Sequence, residues 1–263
     1  MKKSILFIAF CSLLAACSIT ITNHGDDIDY GDAVSREYPL TSSYSKLEVS
    51  HAFNVVMCDT VSVPRVTIAE ELHKKLVFRV SNGTLQIGLK PSVSGNIGHA
   101  EVLLPTNSKL DAIELSGASG FSSEKPLVGK SAKIELSGAV TCQVDIKSKD
   151  IEMAICGASH YNGNIKGDRA EIELSGASTT IVTGSLDVLD LEVAGASHLD
   201  ASQLNAQNVE GDINGASTVE VRCCDKIDVE VSGASHLTYG TVSGNCHPRV
   251  NCETSGFSSV TAL

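Results

Sequence analysis

The chain has 263 residues, 42% of them hydrophobic but only 4% aromatic, with no tryptophan and 22 glycines. That supplies a sizeable core, but a narrow one filled by Ile, Leu, Val and Ala rather than a thick sandwich. A formal charge of −11, from 20 Lys and Arg against 31 Asp and Glu, disfavours nucleic acid or an anionic lipid surface as a partner.

At the N-terminus Lys2 and Lys3 precede an apolar run from Ile5 to Leu14. Leu14-Ala15-Ala16-Cys17 then resembles the lipobox of bacterial lipoproteins, where cleavage exposes a cysteine for lipidation. Residues 1–16 are expected to be a lipoprotein signal peptide and Cys17 the lipidated residue, with a plain secretory signal as the alternative. Loss of Lys2 and Lys3 takes the net charge from −11 to −13. Ser18 resembles the residue that sorts such lipoproteins to the outer membrane. Residues 17–36, with Asn23, Gly25, Asp26, Asp27 and Gly31, have the composition of a flexible tether.

Between residues 37 and 106 short stretches alternate polar and apolar side chains, among them Lys46-Leu47-Glu48-Val49, Arg65-Val66-Thr67-Ile68 and Thr84-Leu85-Gln86-Ile87. Period two marks strands buried on one face, and Asn82-Gly83 marks a hairpin turn. This region is expected to be an irregular β cap with the first coils, because a solenoid must cover its terminal sheet edge.

Residues 107–263 carry the dominant signal. Ser-Gly-Ala-Ser or a close variant recurs eight times, with glycines at 117, 138, 157, 176, 195, 215, 233 and 256. The intervals are 21, 19, 19, 19, 20, 18 and 23 residues, a period of about 20 that points to stacked coils. Residues two, four and six before each glycine are mostly apolar, as in Ile113 and Leu115, Ile172 and Leu174, or Leu189, Leu191 and Val193. A second apolar column lies four residues after it, so each coil holds short strands joined at a Gly-Ala corner. The predicted fold is all-β: a single-stranded parallel β-helix, or β-solenoid, of about 20 residues per coil, with right-handed winding expected from parallel crossovers. No cap is evident after Val260, which leaves an open edge or a self-association surface at the C-terminal coil.

Aligned on the glycines, the repeats place chemistry in columns. Three residues before the glycine stand Glu173, Glu192, Asp212 and Glu230, and five before it Glu171, Asp190, Glu210 and Asp228. Like charges about 4.8 Å apart repel by roughly 1 kcal/mol even in water. Calcium bound by oxygens of adjacent coils is one answer, and a solvated face that keeps the rod soluble is the other. Three residues after the glycine come His160, His198 and His236 on alternate coils, too far apart to share one metal ion. They are a ligand-binding face for a repeating polymer, or corner residues whose side chains bond local backbone, as the flanking serines do. Counting ten residues back from Gly233 and Gly256 reaches Cys223 and Cys246, which could stack on adjacent coils as a disulfide. No Cys-x-x-Cys, phosphate loop or Gly-x-Ser-x-Gly elbow occurs.

A lipobox, an irregular β segment ending in Leu104-Pro105 and then Leu-Ser-Gly-Ala-Ser repeats resemble the putative auto-transporter adhesin "head GIN" domain family over residues 37 to 260. The resemblance implies a β-helical module with an adhesive or binding role and no catalytic residue set. The expectation is a lipid-anchored cell-envelope protein, not an enzyme, attached to the membrane by its lipid and binding a carbohydrate or protein. A polysaccharide lyase or glycosidase and a structural spacer are the alternatives.

Overall fold

Alternation with period two, repeated every 19 or 20 residues, closes the chain into a stack of parallel coils. A computed structural model describes residues 30–93, 95–243 and 246–263. The signal segment, Cys17 and most of the tether lie outside the described residues. Ahead of the repeats run β1 (Ala33–Glu37), β2 (Lys46–Val49), β3 (Asn54–Cys58), β4 (Arg65–Ala69), β5 (Leu76–Ser81), β6 (Thr84–Leu89) and β7 (Glu101–Pro105). The repeats give β8 (Ala112–Gly117), β9 (Gly120–Ser123), β10 (Leu127–Gly138), β11 (Thr141–Gln143), β12 (Ile146–Ile155) and β13 (His160–Leu174). Then follow β14 (Thr179–Val193), β15 (His198–Ile213), β16 (Thr218–Val231), β17 (His236–Thr241), β18 (Arg249–Thr254) and β19 (Ser259–Ala262). Among the described residues these strands form one sheet.

From β8 onward every pairing is parallel and in register with the glycine alignment. Ile113, Ile134, Met153, Ile172 and Leu191 pair in succession, and Val229 continues their column beyond Gly211. All six apolar members are at most 2% exposed. Each such side chain contributes about 1.5–3 kcal/mol by leaving water, so the stack is held by its inner columns rather than by any one coil.

The Ser-Gly-Ala-Ser step makes the corner through three linked devices. The glycines sit at positive φ, +78° at Gly195 and +81° at Gly215. A Cβ on Gly195 would stand 2.5 Å from the carbonyl oxygen of Gly176 in the coil before, so only glycine fits where the coils meet. The next alanine donates its N–H to that same oxygen, as Ala196 does to Gly176 at 2.7 Å. The following serine is buried and donates Oγ–H to the carbonyl three residues back, Ser178 to Ser175 at 2.6 Å and Ser197 to Ala194 at 2.8 Å. The serines are thus local backbone partners, as their position in the repeat suggests. A degenerate copy of the corner, unrecognised in the sequence, is Ser50-His51-Ala52-Phe53. His51 takes the glycine position with φ +74°, and Ala118 donates to its carbonyl at 2.6 Å.

Stacking order departs from chain order at the N-terminal end. The coil of β2 and β3 lies between that of β6 and β7 and that of β8 and β9, since β2 pairs with both β6 and β8, and β3 with both β7 and β9. The outer edge of the β6–β7 coil is closed by antiparallel strands, β5 against β6 and β4 against β7, with β1 on β4. Unpaired strand edges are thereby covered. Residues 33–36, expected at the end of the tether, are part of β1. That strand is pinned by His73, which donates Nε2–H to the Val34 carbonyl at 2.8 Å while the Tyr38 hydroxyl bonds its Nδ1 at 2.7 Å.

At the other end β18 pairs with β16 and β19 with β17, and their outer edges have no strand partner among the described residues. The expected Cys223–Cys246 disulfide is corrected here: Cys224 bonds Cys246, with Cα atoms 4.7 Å apart, and Cys223 is a buried free thiol. Cys223 points inward and stacks on Ala206 and Thr241, whereas Cys224 faces outward by the alternation. The extra residues of the 23-residue interval lie between β17 and β18, which puts Cys246 outside the inner column that a fixed ten-residue offset assumes.

Candidate functional site

Each coil presents one strand face before its glycine corner and another after it, and the two differ in chemistry. The first face carries the acids. Glu171, Asp190, Glu210 and Asp228 pair in sequence along one column, and Glu173, Glu192, Asp212 and Glu230 along the next. Burial, then the carboxylates of Glu192, Glu171 and Glu152, push Glu173 up to about 7. Glu192 and Asp190 are raised too, again chiefly by burial. Part of the repulsion is answered by cations on the same face. Arg169 reaches Asp190 and also Glu210, the latter at 3.1 Å, while Lys226 holds Asp228 at 2.5 Å and Lys133 holds Glu135 at 3.0 Å. The bonds from Lys226 and Asn251 hold the Asp228 carboxyl below its usual range.

These acids form rows rather than a cage. Among the described residues no group of three His, Cys, Asp or Glu side chains is placed to hold a metal ion. The expected calcium ligands are brought together in two columns, one coil apart, without convergence on a point. Arg169 and Lys226, which lower the repulsion, were missed in the sequence; both stand seven residues before a glycine, a column that also contains Asp150 and Arg249.

On the second face His160, Thr179, His198, Thr218 and His236 pair directly with one another in that order, with Thr141 ahead of them and Ser259 after. The histidines do not behave as corner residues bonded to backbone. Their backbone N–H groups join the coil-to-coil ladder, but the imidazoles of His160 and His198 make no hydrogen bond among the described residues, and that of His236 bonds only side chains, Ser259 Oγ at 2.6 Å and Thr238 Oγ1 at 3.1 Å. The adjoining column runs Gln143, Asn162, Ile181, Asp200, Glu220 and Thr238. Ile181 is 40% exposed, an apolar side chain amid polar neighbours. Sequence reasoning missed this column because it lies five residues beyond each glycine, past the last position where the repeats look alike. Asp200 is engaged by Ser202, whose hydroxyl donates to it at 2.6 Å, and its carboxyl is lowered as a result. The imidazoles of His160 and His198 and the Ile181 side chain therefore face outward without a role in holding the coil.

Two shallow cavities lie on the acidic face near the cap. One, of about 230 Å³, is lined by Lys46, Glu48, Ala112, Glu114, Lys133 and Glu135 among others. Glu114 there is raised by burial and by Glu135 and Glu48, against a smaller opposing pull from Lys133 and Lys46. Among the described residues no helix is long and apolar enough to cross a membrane.

A family model described as "Putative auto-transporter adhesin, head GIN domain" matches residues 43–242. Among solved structures, one described as a putative lipid binding protein from Parabacteroides distasonis is 22% identical with a TM-score of 0.77, covering 89% of this chain and 97% of the other. A putative adhesin from Parabacteroides merdae is 18% identical with a TM-score of 0.77, covering 91% of this chain and 100% of the other. A putative adhesin from Bacteroides fragilis is 15% identical with a TM-score of 0.64, covering 91% and 100%. At these identities the likeness shows a shared fold. No curated protein sequence matches the chain.

Proposed function

The chain belongs to the family described as "Putative auto-transporter adhesin, head GIN domain", and from that premise we propose that it is a lipid-anchored, non-catalytic binding module of the cell envelope, engaging its partner through the second face. The observation that carries this reading is the column of His160, His198 and His236, whose side chains bond no backbone and stand beside the exposed Ile181. Exposed polar side chains that are not tied to their own backbone are what a recognition surface requires. The acidic face is a poorer candidate, because its charges are partly neutralised by Arg169, Lys226 and Lys133 and its carboxylates stand in rows along one face. A glycosidase would instead pair two carboxyl groups across a substrate cleft.

On this proposal Cys17 carries the lipid and the rod stands on the outer membrane, with a carbohydrate or a protein as ligand. The test is binding of the full chain, in detergent micelles, to an array of glycans and glycoproteins, beside a variant with His160, His198 and His236 all changed to alanine. Binding that vanishes in the variant at unchanged melting temperature supports the second face. Binding that persists undiminished places the contact elsewhere.

A further inference from the structure

We propose that the second face accommodates an extended, neutral β-1,4-linked polysaccharide laid along the rod axis, one sugar ring per coil, with His160, His198 and His236 meeting every second ring. This rests on the second face being the binding face. Its support is a match of period and of phase. Parallel strands recur about every 4.8 Å, so histidines on alternate coils recur about every 9.6 Å. An extended β-1,4-linked chain advances per ring by nearly one strand spacing, and successive rings turn over by half a turn. The same ring face therefore returns every second ring, in step with the alternation of His and Thr through Thr141, His160, Thr179, His198, Thr218 and His236.

The chemistry alternates in the same phase. A planar imidazole can lie against the C–H face of one ring and offer its nitrogens to hydroxyls, while the small threonine hydroxyl meets the next ring without obstructing it. Ile181 adds an apolar contact between Asn162 and Asp200 in the neighbouring column. Charge selects the class of polymer. From Gln143 to Thr238 the two columns contain Asp200 and Glu220 but no Lys or Arg, so their fixed charges disfavour a uronate or sulfate chain. A protein partner fits less well, since among the described residues Ile181 is the one large apolar side chain exposed in these two columns, and protein interfaces centre on a larger apolar patch.

The experiment is calorimetric titration of the full chain in micelles with β-1,4-linked glucose oligomers of two, four and six rings, and with α-1,4-linked glucose oligomers of the same lengths. Six coils, from Thr141 to His236, should give an affinity that rises by about tenfold for each added disaccharide up to the hexamer, as successive contacts share one ligand. His198→Ala, which removes one of the three histidine contacts, should return the hexamer to roughly the affinity of the tetramer. Thr179→Arg, which obstructs the row, should do the same should the alanine variant fold poorly. Equal affinity for the α-linked oligomers, absence of length dependence, or no binding of either series overturns the proposal. If array binding to some other ligand is nonetheless lost in the triple histidine variant, the second face keeps its role and only the β-1,4 polymer is refuted.

Discussion

Two glycines with nearly the same backbone conformation separate the cost of positive φ from the cost of coil contact. Gly83, in the turn between β5 and β6, has φ +76° and nothing within 4 Å of where a Cβ would stand. Gly195 has φ +78°, but there a Cβ would lie 2.5 Å from the Gly176 carbonyl oxygen and 2.9 Å from its nitrogen. Gly83→Ala therefore costs only the left-handed conformation, about 1–2 kcal/mol, offset by about 0.4–1 kcal/mol from a less flexible unfolded chain. Gly195→Ala adds overpacking of about 1–3 kcal/mol and loss of the Ala196-to-Gly176 corner bond, about 1 kcal/mol. The expected loss is roughly 3 kcal/mol or more against about 1 kcal/mol, or a fall in melting temperature of about 6–12 °C against about 3 °C. Thermal unfolding followed by circular dichroism reads both. Equal shifts in the two variants would refute the claim that the repeated glycine exists for coil-to-coil approach.

Glu173 is pushed up to about 7 from an ordinary 4.5, so the folded state binds the proton more tightly than the unfolded chain. Stability should then fall as pH rises from about 4.5 to 7 and level off above, by about 1 kcal/mol once solvent screening of a half-buried group is allowed for. Glu173→Gln should flatten that slope and raise stability at pH 8, read by urea titration across pH. Reduction of Cys224–Cys246, which spans 22 residues, should cost about 3 kcal/mol, and peptide mapping under non-reducing conditions should recover this pair and a free Cys223. Millimolar calcium should shift the melting temperature no more than magnesium, because the acids form rows without a coordination cage. Cys17→Ser should abolish lipid attachment, read as the loss of the acyl mass on the N-terminal peptide.

The solenoid was legible because each coil repeats the same local rules. Apolar residues at Ile172 and Leu174, the Gly176 corner and its flanking Ser178 specify one strand and one turn, and stacking multiplies them. The cap was legible only as strands. Nothing local to Lys46–Val49 or Thr84–Leu89 says that the later segment lies outside the earlier one, because that order is decided by which edges remain to be covered. The disulfide partner failed by one residue, and one residue is enough to turn a side chain from inside to outside on a strand. His51 at a glycine position was hidden because the sequence signal used was the glycine itself. On the acidic face the columns could be read from spacing, but the reach of Arg169 across two coils to Glu210 depends on a side-chain direction that spacing does not contain.

The most direct test of the second face as the binding surface sets one substitution on each face side by side. Ile181→Arg alters the exposed apolar contact beside the histidine column, and Glu230→Arg alters the acidic face three coils further along the stack. With both variants folded, binding to the glycan and glycoprotein array is predicted to be lost for Ile181→Arg and retained for Glu230→Arg. The reverse pattern, binding kept by Ile181→Arg and lost by Glu230→Arg, would contradict the account.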